Sequence, residues 1–250
     1  MKIIWLTALG VGGATVFGAA AGFLFRRISL RFSNVILSFA AGVMLASSIM
    51  GLILPSLEYG GRWGFLWSTA GILSGALFLR LLDRCLPKVY RLMGLSGEEN
   101  SPSRVGRVLL FVMAIALHNF PEGIAAGVGF GTGDTARALT IAGGIALQNL
   151  PEGMVMIAPM LSVGISPLRA FVLAALTGAV EVLGTLVGYG AVRLSSVLLP
   201  FALSFAGGTM LYVISDEMIP ATHEEGEGKG ATYALLLGVC LVLMMEAFLG

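Results

Sequence analysis

Two stretches thirty residues apart carry the chemistry of this chain. Ile115–Gly123 reads I-A-L-H-N-F-P-E-G and Ile145–Gly153 reads I-A-L-Q-N-L-P-E-G, identical at seven of nine positions. Each lies in an apolar run long enough to cross a bilayer, and each sets a carboxylate, Glu122 or Glu152, where hydrocarbon belongs. A carboxylate at the middle of a spanning helix costs roughly 2.5–3.5 kcal/mol on insertion scales. Two of them in the same local sequence require a compensating partner. On a helix His118 and Glu122 are i and i+4 and share a face, and so are Gln148 and Glu152. Pro121 and Pro151 have no N–H to give to the carbonyls of Leu117 and Leu147. Two such faces, with Asn119 and Asn149 beside them, make a cage of oxygen and nitrogen donors for a cation. Helix packing alone accounts for a single amide or a glycine in a membrane. It does not call for two ionisable glutamates.

The elements that must hold these residues are membrane helices. Charged residues make up 12% of the chain and apolar residues 57%, against about 25% and 45–50% in soluble domains. The formal net charge of +1 supplies no field to attract nucleic acid. Counted in spans of about twenty residues, the sequence predicts an all-α polytopic membrane protein. Its eight helices fall near 3–25, 34–54, 64–82, 107–130, 138–161, 168–189, 195–216 and 231–249, with residues 1–250 forming one domain. The first span is read as a retained helix rather than a cleaved signal, because its apolar stretch is longer than a signal core. It also carries a small-residue stripe, Gly10, Ala14, Gly18 and Gly22, suited to close helix contact.

Basic residues orient the bundle. With the N-terminus outside, eleven of the fifteen fall on inner connections (Arg26, Arg27, Arg31, Arg80, Arg84, Lys88, Arg91, Arg104, Arg107, Arg169, Lys229) and four outside (Lys2, Arg62, Arg137, Arg193). Both termini are therefore expected on the outer side. Cys85 and Cys240 are read at different depths and as free thiols.

The paired hexapeptides, His118–Gly123 and Gln148–Gly153, resemble those of the Zrt/Irt-like (ZIP) divalent-metal transporters, with Gln148 similar to the GufA-like branch. The resemblance implies a 3+2+3 arrangement in which the first three helices relate to the last three by inverted symmetry, an elevator-like movement, a homodimer and a place in the plasma membrane. It implies that Glu181, a third carboxylate in an apolar span, completes a second metal position beside the one built from His118, Asn119, Glu122, Gln148, Asn149 and Glu152. It adds pathway candidates: Met44, whose thioether suits a soft metal, and Asp216, Glu217 and His223 toward the inner exit. Many relatives carry a His-rich tract between the third and fourth helices, but the stretch from Asp83 to Gly106 has no histidine and reads as a plain flexible linker.

The expected function is transport of a divalent transition metal, zinc first and iron, manganese, cadmium or cobalt beside it, into the cytoplasm. The metal is cargo, and no resident cofactor is expected. Two alternatives stand beside it. An intramembrane metalloenzyme would also bury His and Glu, but no H-E-x-x-H occurs and the only histidines are His118 and His223. A passive channel would rather use rings of charge or carbonyls.

Gln148 generates a selectivity prediction. Its amide offers only a weak oxygen donor, whereas imidazole suits Zn²⁺ and oxygen suits Mn²⁺. Gln148→His is expected to raise the uptake ratio of Zn²⁺ over Mn²⁺ in competition. An unchanged ratio in a folded variant would remove Gln148 from the site.

Overall fold

A computed structural model describes residues 2–24, 30–92, 104–130, 133–194, 196–223 and 228–249. These fold into eight long helices, with no strand among the described residues. They are α1 (Lys2–Leu24), α2 (Leu30–Ala46, a π-helical stretch Ser47–Ile53, then Leu54–Tyr59), α3 (Gly64–Leu92) and α4 (Arg104–Gly129). After them come α5 (Thr135–Ser162), α6 (Pro167–Leu194), α7 (Leu199–Val213, a π-helical stretch Ile214–Met218, then Ile219–His223) and α8 (Gly228–Leu249). Seven are long and apolar enough to cross a membrane. The eighth, α5, carries Gln148, Asn149 and Glu152, which lower its hydropathy but are turned inward, all three buried. All three tryptophans, Trp5, Trp63 and Trp67, are exposed near the starts of α1 and α3. Helices two apart start on the same side, so these rings share one interface, where indoles settle in a bilayer.

The structure corrects three local readings. The second span does not stop at residue 54, nor the seventh at residue 216, since both helices run on through a proline, Pro55 and Pro220. A proline ring clashes with the carbonyl four residues back, which for Pro55 and Pro220 belongs to Gly51 and Asp216. Both lie in the π-helical stretches, whose wider turn makes room. Conversely, α4 and α5 stay α-helical through Pro121 and Pro151 despite the missing N–H of each. Finally, α3 continues to Leu92, because charged residues from Arg80 onward mark its exit from hydrocarbon without ending its backbone hydrogen bonding. Of the expected linker, residues 93–103 lie outside the described residues, as do Arg26 and Arg27. The thiols of Cys85 and Cys240 are free and exposed.

The helices pack in two groups. In one, α1 lies against α5 and α6, and α4 against α6; in the other, α3 lies against α7 and α8 against α2. Contacts of α2 with α5 and of α4 with α7 join the groups. Exchanging α1 with α6, α2 with α7, α3 with α8 and α4 with α5 leaves this pattern unchanged. An odd number of crossings separates each of the three outer pairs, so the two copies are inverted, which is the 3+2+3 arrangement.

Glycines set the spacing. Gly18 meets the Leu150 carbonyl while Gly184 meets that of Phe120, and Gly42 meets Leu235 while Gly208 meets Ile72. A Cβ at any of these four would overlap backbone that cannot retreat. The sequence holds the same repeat at a spacing of 166: Ser38–Leu45, S-F-A-A-G-V-M-L, matches Ser204–Leu211, S-F-A-G-G-T-M-L, at six of eight positions.

Gly42→Ala and Gly208→Ala should each cost about 1–3 kcal/mol by overpacking. Gly10→Ala, where nothing lies within 4 Å, should be neutral or slightly stabilising. Thermal melting of the purified chain distinguishes the two groups, and equal melting of all three variants would overturn the assigned interfaces.

Candidate metal centre

The helical spacing predicted for the motifs holds. Helix α4 brings His118, Asn119 and Glu122 to the interior, and α5 brings Gln148, Asn149 and Glu152, all buried. Gly123 lets the α6 backbone at Glu181 and Thr185 approach α4, and Gly153 lets the α1 backbone at Thr15 and Ala19 approach α5. With no Cβ in the way, α6 comes close enough to place Glu181, at 0% exposure, beside the motif residues.

The three glutamates are not equivalent. Glu181 is held: Asn149 Nδ2 donates to its Oε1 and Thr15 Oγ1 donates to its Oε2 at 3.3 Å. The same Asn149 nitrogen also donates to the Val11 carbonyl at 3.2 Å. Glu122, 1% exposed, has neither oxygen hydrogen-bonded, although the Glu152 and Glu181 charges and the Gln148 amide are close by. Both polar atoms of Gln148, both of Asn119 and Oδ1 of Asn149 are likewise buried without a partner. A buried polar group left unpaired costs about 1–3 kcal/mol, more when charged. None of the lysines and arginines whose exposure the structure describes is buried. The arrangement thus collects negative charge and unpaired oxygens at one point, which is the donor set of a dication.

A cavity of about 370 Å³ leads away from Glu122, Glu152 and His118. It runs between Phe111, Ile115, Val155 and Val213 to Asp216, Glu217 and Pro220 at the far end of α7. Along it His118 Nε2 stands 3.1 Å from Glu217 Oε1. Donor atoms of Asp83, His118 and Glu217 all lie within 4.8 Å of one another. On the opposite side of the centre, the π-helical stretch of α2 lies against α5: a Cβ on Gly51 would touch Ile141, and one on Gly144 would touch Ser47 Oγ.

The structure therefore gathers all seven motif and α6 candidates, and lines the cavity with Asp216 and Glu217 as well. It does not bring Met44 or His223 to that cavity. Met44 is packed in an apolar cluster with Val11, Leu52, Ile145 and Met210. His223 Nδ1 bonds the Ile219 carbonyl at 2.9 Å, and its Nε2 lies 3.2 Å from Thr232 Oγ1. Sequence reasoning missed Asp83, which it took for the start of a loop, and Thr15. The 166-residue repeat would have found the second.

Comparison with known proteins agrees with the motifs. The family described as "ZIP Zinc transporter" matches residues 95–246. The "Zinc transporter GufA" of Myxococcus xanthus is 39% identical, covering 98% of this chain and 98% of its own. The "Zinc transporter ZIPB" of Bordetella bronchiseptica is 38% identical over 95% of this chain and 78% of its own. The human "Zinc transporter ZIP11" is 30% identical over 95% and 94%.

The unequal bonding of the carboxylates predicts unequal effects on the metal-free protein. Glu122→Gln replaces a buried carboxyl, costly to ionise there, by a neutral amide of the same shape, so melting should stay level or rise. Asn149→Leu strips hydrogen bonds from Glu181 and from the Val11 carbonyl, and should cost about 1–3 kcal/mol or more. Melting of both variants in chelator checks the order, and a reversed order would contradict the bonding described.

Proposed function

The chain belongs to the ZIP family, and on that premise we propose that it carries divalent transition-metal cations, zinc foremost, across the membrane into the cytoplasm. The observation that carries this reading is a buried cluster of three glutamates, at the head of a cavity that leads to one side, with none of the lysines and arginines of described exposure buried beside it. A dication is the partner that compensates such a cluster, and it must also be able to leave.

In this reading Glu122 and Glu152 supply charge, while His118, Asn119, Gln148 and the Asn149 carbonyl oxygen supply neutral donors. Glu181, oriented by Asn149, completes the site. The metal departs along His118, Glu217, Asp83 and Asp216, handed from buried to more exposed carboxylates. Met44 and His223 act as packing and helix-end residues. Residues 1–250 form one transport unit in the plasma membrane, with both termini outside as the basic residues direct. The cavity mouth at the end of α7 then faces the cytoplasm. The chain works as a homodimer, as the resemblance implies.

The protein is not read as an enzyme, because its second histidine is occupied at the end of α7 and a hydrolytic zinc site needs more than one imidazole. A carrier is favoured over a channel because the packed face of α2 against α5 opposes the cavity.

Zn²⁺ flux into proteoliposomes tests the reading. Uptake should saturate with Zn²⁺, and Glu122→Ala or Glu152→Ala should abolish it while the protein still melts cooperatively. Wild-type rates in either variant would displace the site, and flux that rises without saturation would make the protein a channel.

A further inference from the structure

Under the inverted repeat, Thr15 of α1 is the counterpart of Glu181 of α6. The two stand 166 positions apart, as do Gly12 and Gly178, Gly18 and Gly184, and Gly22 and Gly188. Their contacts correspond too. Gly123 meets the backbone at Glu181 and Thr185, and Gly153 meets it at Thr15 and Ala19. Strict repetition would place a carboxylate on α1 for Asn119, as α6 places Glu181 for Asn149. The chain has a threonine there instead. At 1% exposure, its hydroxyl reaches across the pseudo-twofold relation and donates to Glu181 Oε2 at 3.3 Å. Asn119, at 1% exposure, is left with neither amide atom bonded.

We propose that Thr15 is a positioning residue of the metal centre, fixing the Glu181 carboxylate from α1. The inference rests on the transport reading above and deepens it. One carboxylate shared by Asn149 and Thr15 gives the centre three acidic groups where exact symmetry would give four. It also makes the two amides inequivalent: Asn149 Nδ2 donates to a carboxylate, and Asn119 Nδ2 donates to none. A helix that contributes no ligand atom of its own thereby sets the geometry of the site. Hydrogen bonds of this outer kind fix ligand orientation, and losing one typically costs 10–100-fold in metal affinity.

The test is Zn²⁺ titration by calorimetry of the full chain in nanodiscs, with metal-free melting recorded alongside. Thr15→Val keeps the shape and removes the hydroxyl, and should weaken Zn²⁺ binding by about 10–100-fold. Thr15→Ser restores the donor and should bind close to wild type. If the valine variant does not fold, Thr15→Ala, which needs no additional room, makes the same comparison with serine. A merely structural role would lower melting and leave the affinity of the folded protein unchanged. Wild-type affinity in the valine or alanine variant, or a serine variant as weak as either, would overturn the assignment. Wild-type protein that binds no Zn²⁺ would overturn this inference and the transport reading together, whereas wild-type binding with an unaffected valine variant overturns this inference alone.

Discussion

A carboxylate taken out of water must be given something in return, and the architecture follows from how this chain answers that demand. Glu181 is answered within the protein, by an amide from α5 and a hydroxyl from α1. Glu122 has only the Gln148 amide close by, and neither of its oxygens makes a well-formed hydrogen bond. The difference separates a carboxylate bonded into the framework from one that is not. It also explains why the centre is a poor contributor to stability by itself: buried charge without a partner opposes folding. The surrounding helices must compensate by packing.

They do so through backbone contact. Where lipid is as apolar as the side chains, helices gain little by burying leucine, and close approach between small residues supplies the attraction. Gly18, Gly42, Gly184 and Gly208 each admit a neighbouring carbonyl to the helix surface. Gly123 and Gly153 serve the same purpose directly beside the glutamates. The residue type that holds the bundle together is thus also the one that fixes how near Glu181 stands to the motif helices.

Much of this was legible in the sequence, for a physical reason. A polar residue in a long apolar run is costly enough to stand out, so the paired motifs, Glu181 and the eight spans could be read one residue at a time. Asp83 was hidden because a charge near the end of an apolar run looks like the helix leaving the membrane; only the fold shows it beside His118 and Glu217. Thr15 was hidden because a threonine costs little anywhere, and its partner is 166 positions away. The spans 34–54 and 195–216 were read too short, since a proline just beyond does not reveal whether the preceding turn is wide enough to accept it. The inverted repeat was present in Ser38–Leu45 and Ser204–Leu211, but two of eight positions had changed and the spacing far exceeded that of the motif pair.

The two π-helical stretches bear on helical phase. Such a turn holds one residue more than an α-helical turn, which rotates everything beyond it by about 100° relative to an uninterrupted helix. In α2 the rotated part is Leu54–Tyr59, on the packed side of the centre, and in α7 it is Ile219–His223, at the cavity mouth. Each helix therefore presents two different azimuths to its surroundings, one toward the metal centre and one toward the membrane surface. The same offset, placed once in each half of an inverted pair, sets which side chains meet the pathway at its two opposite ends.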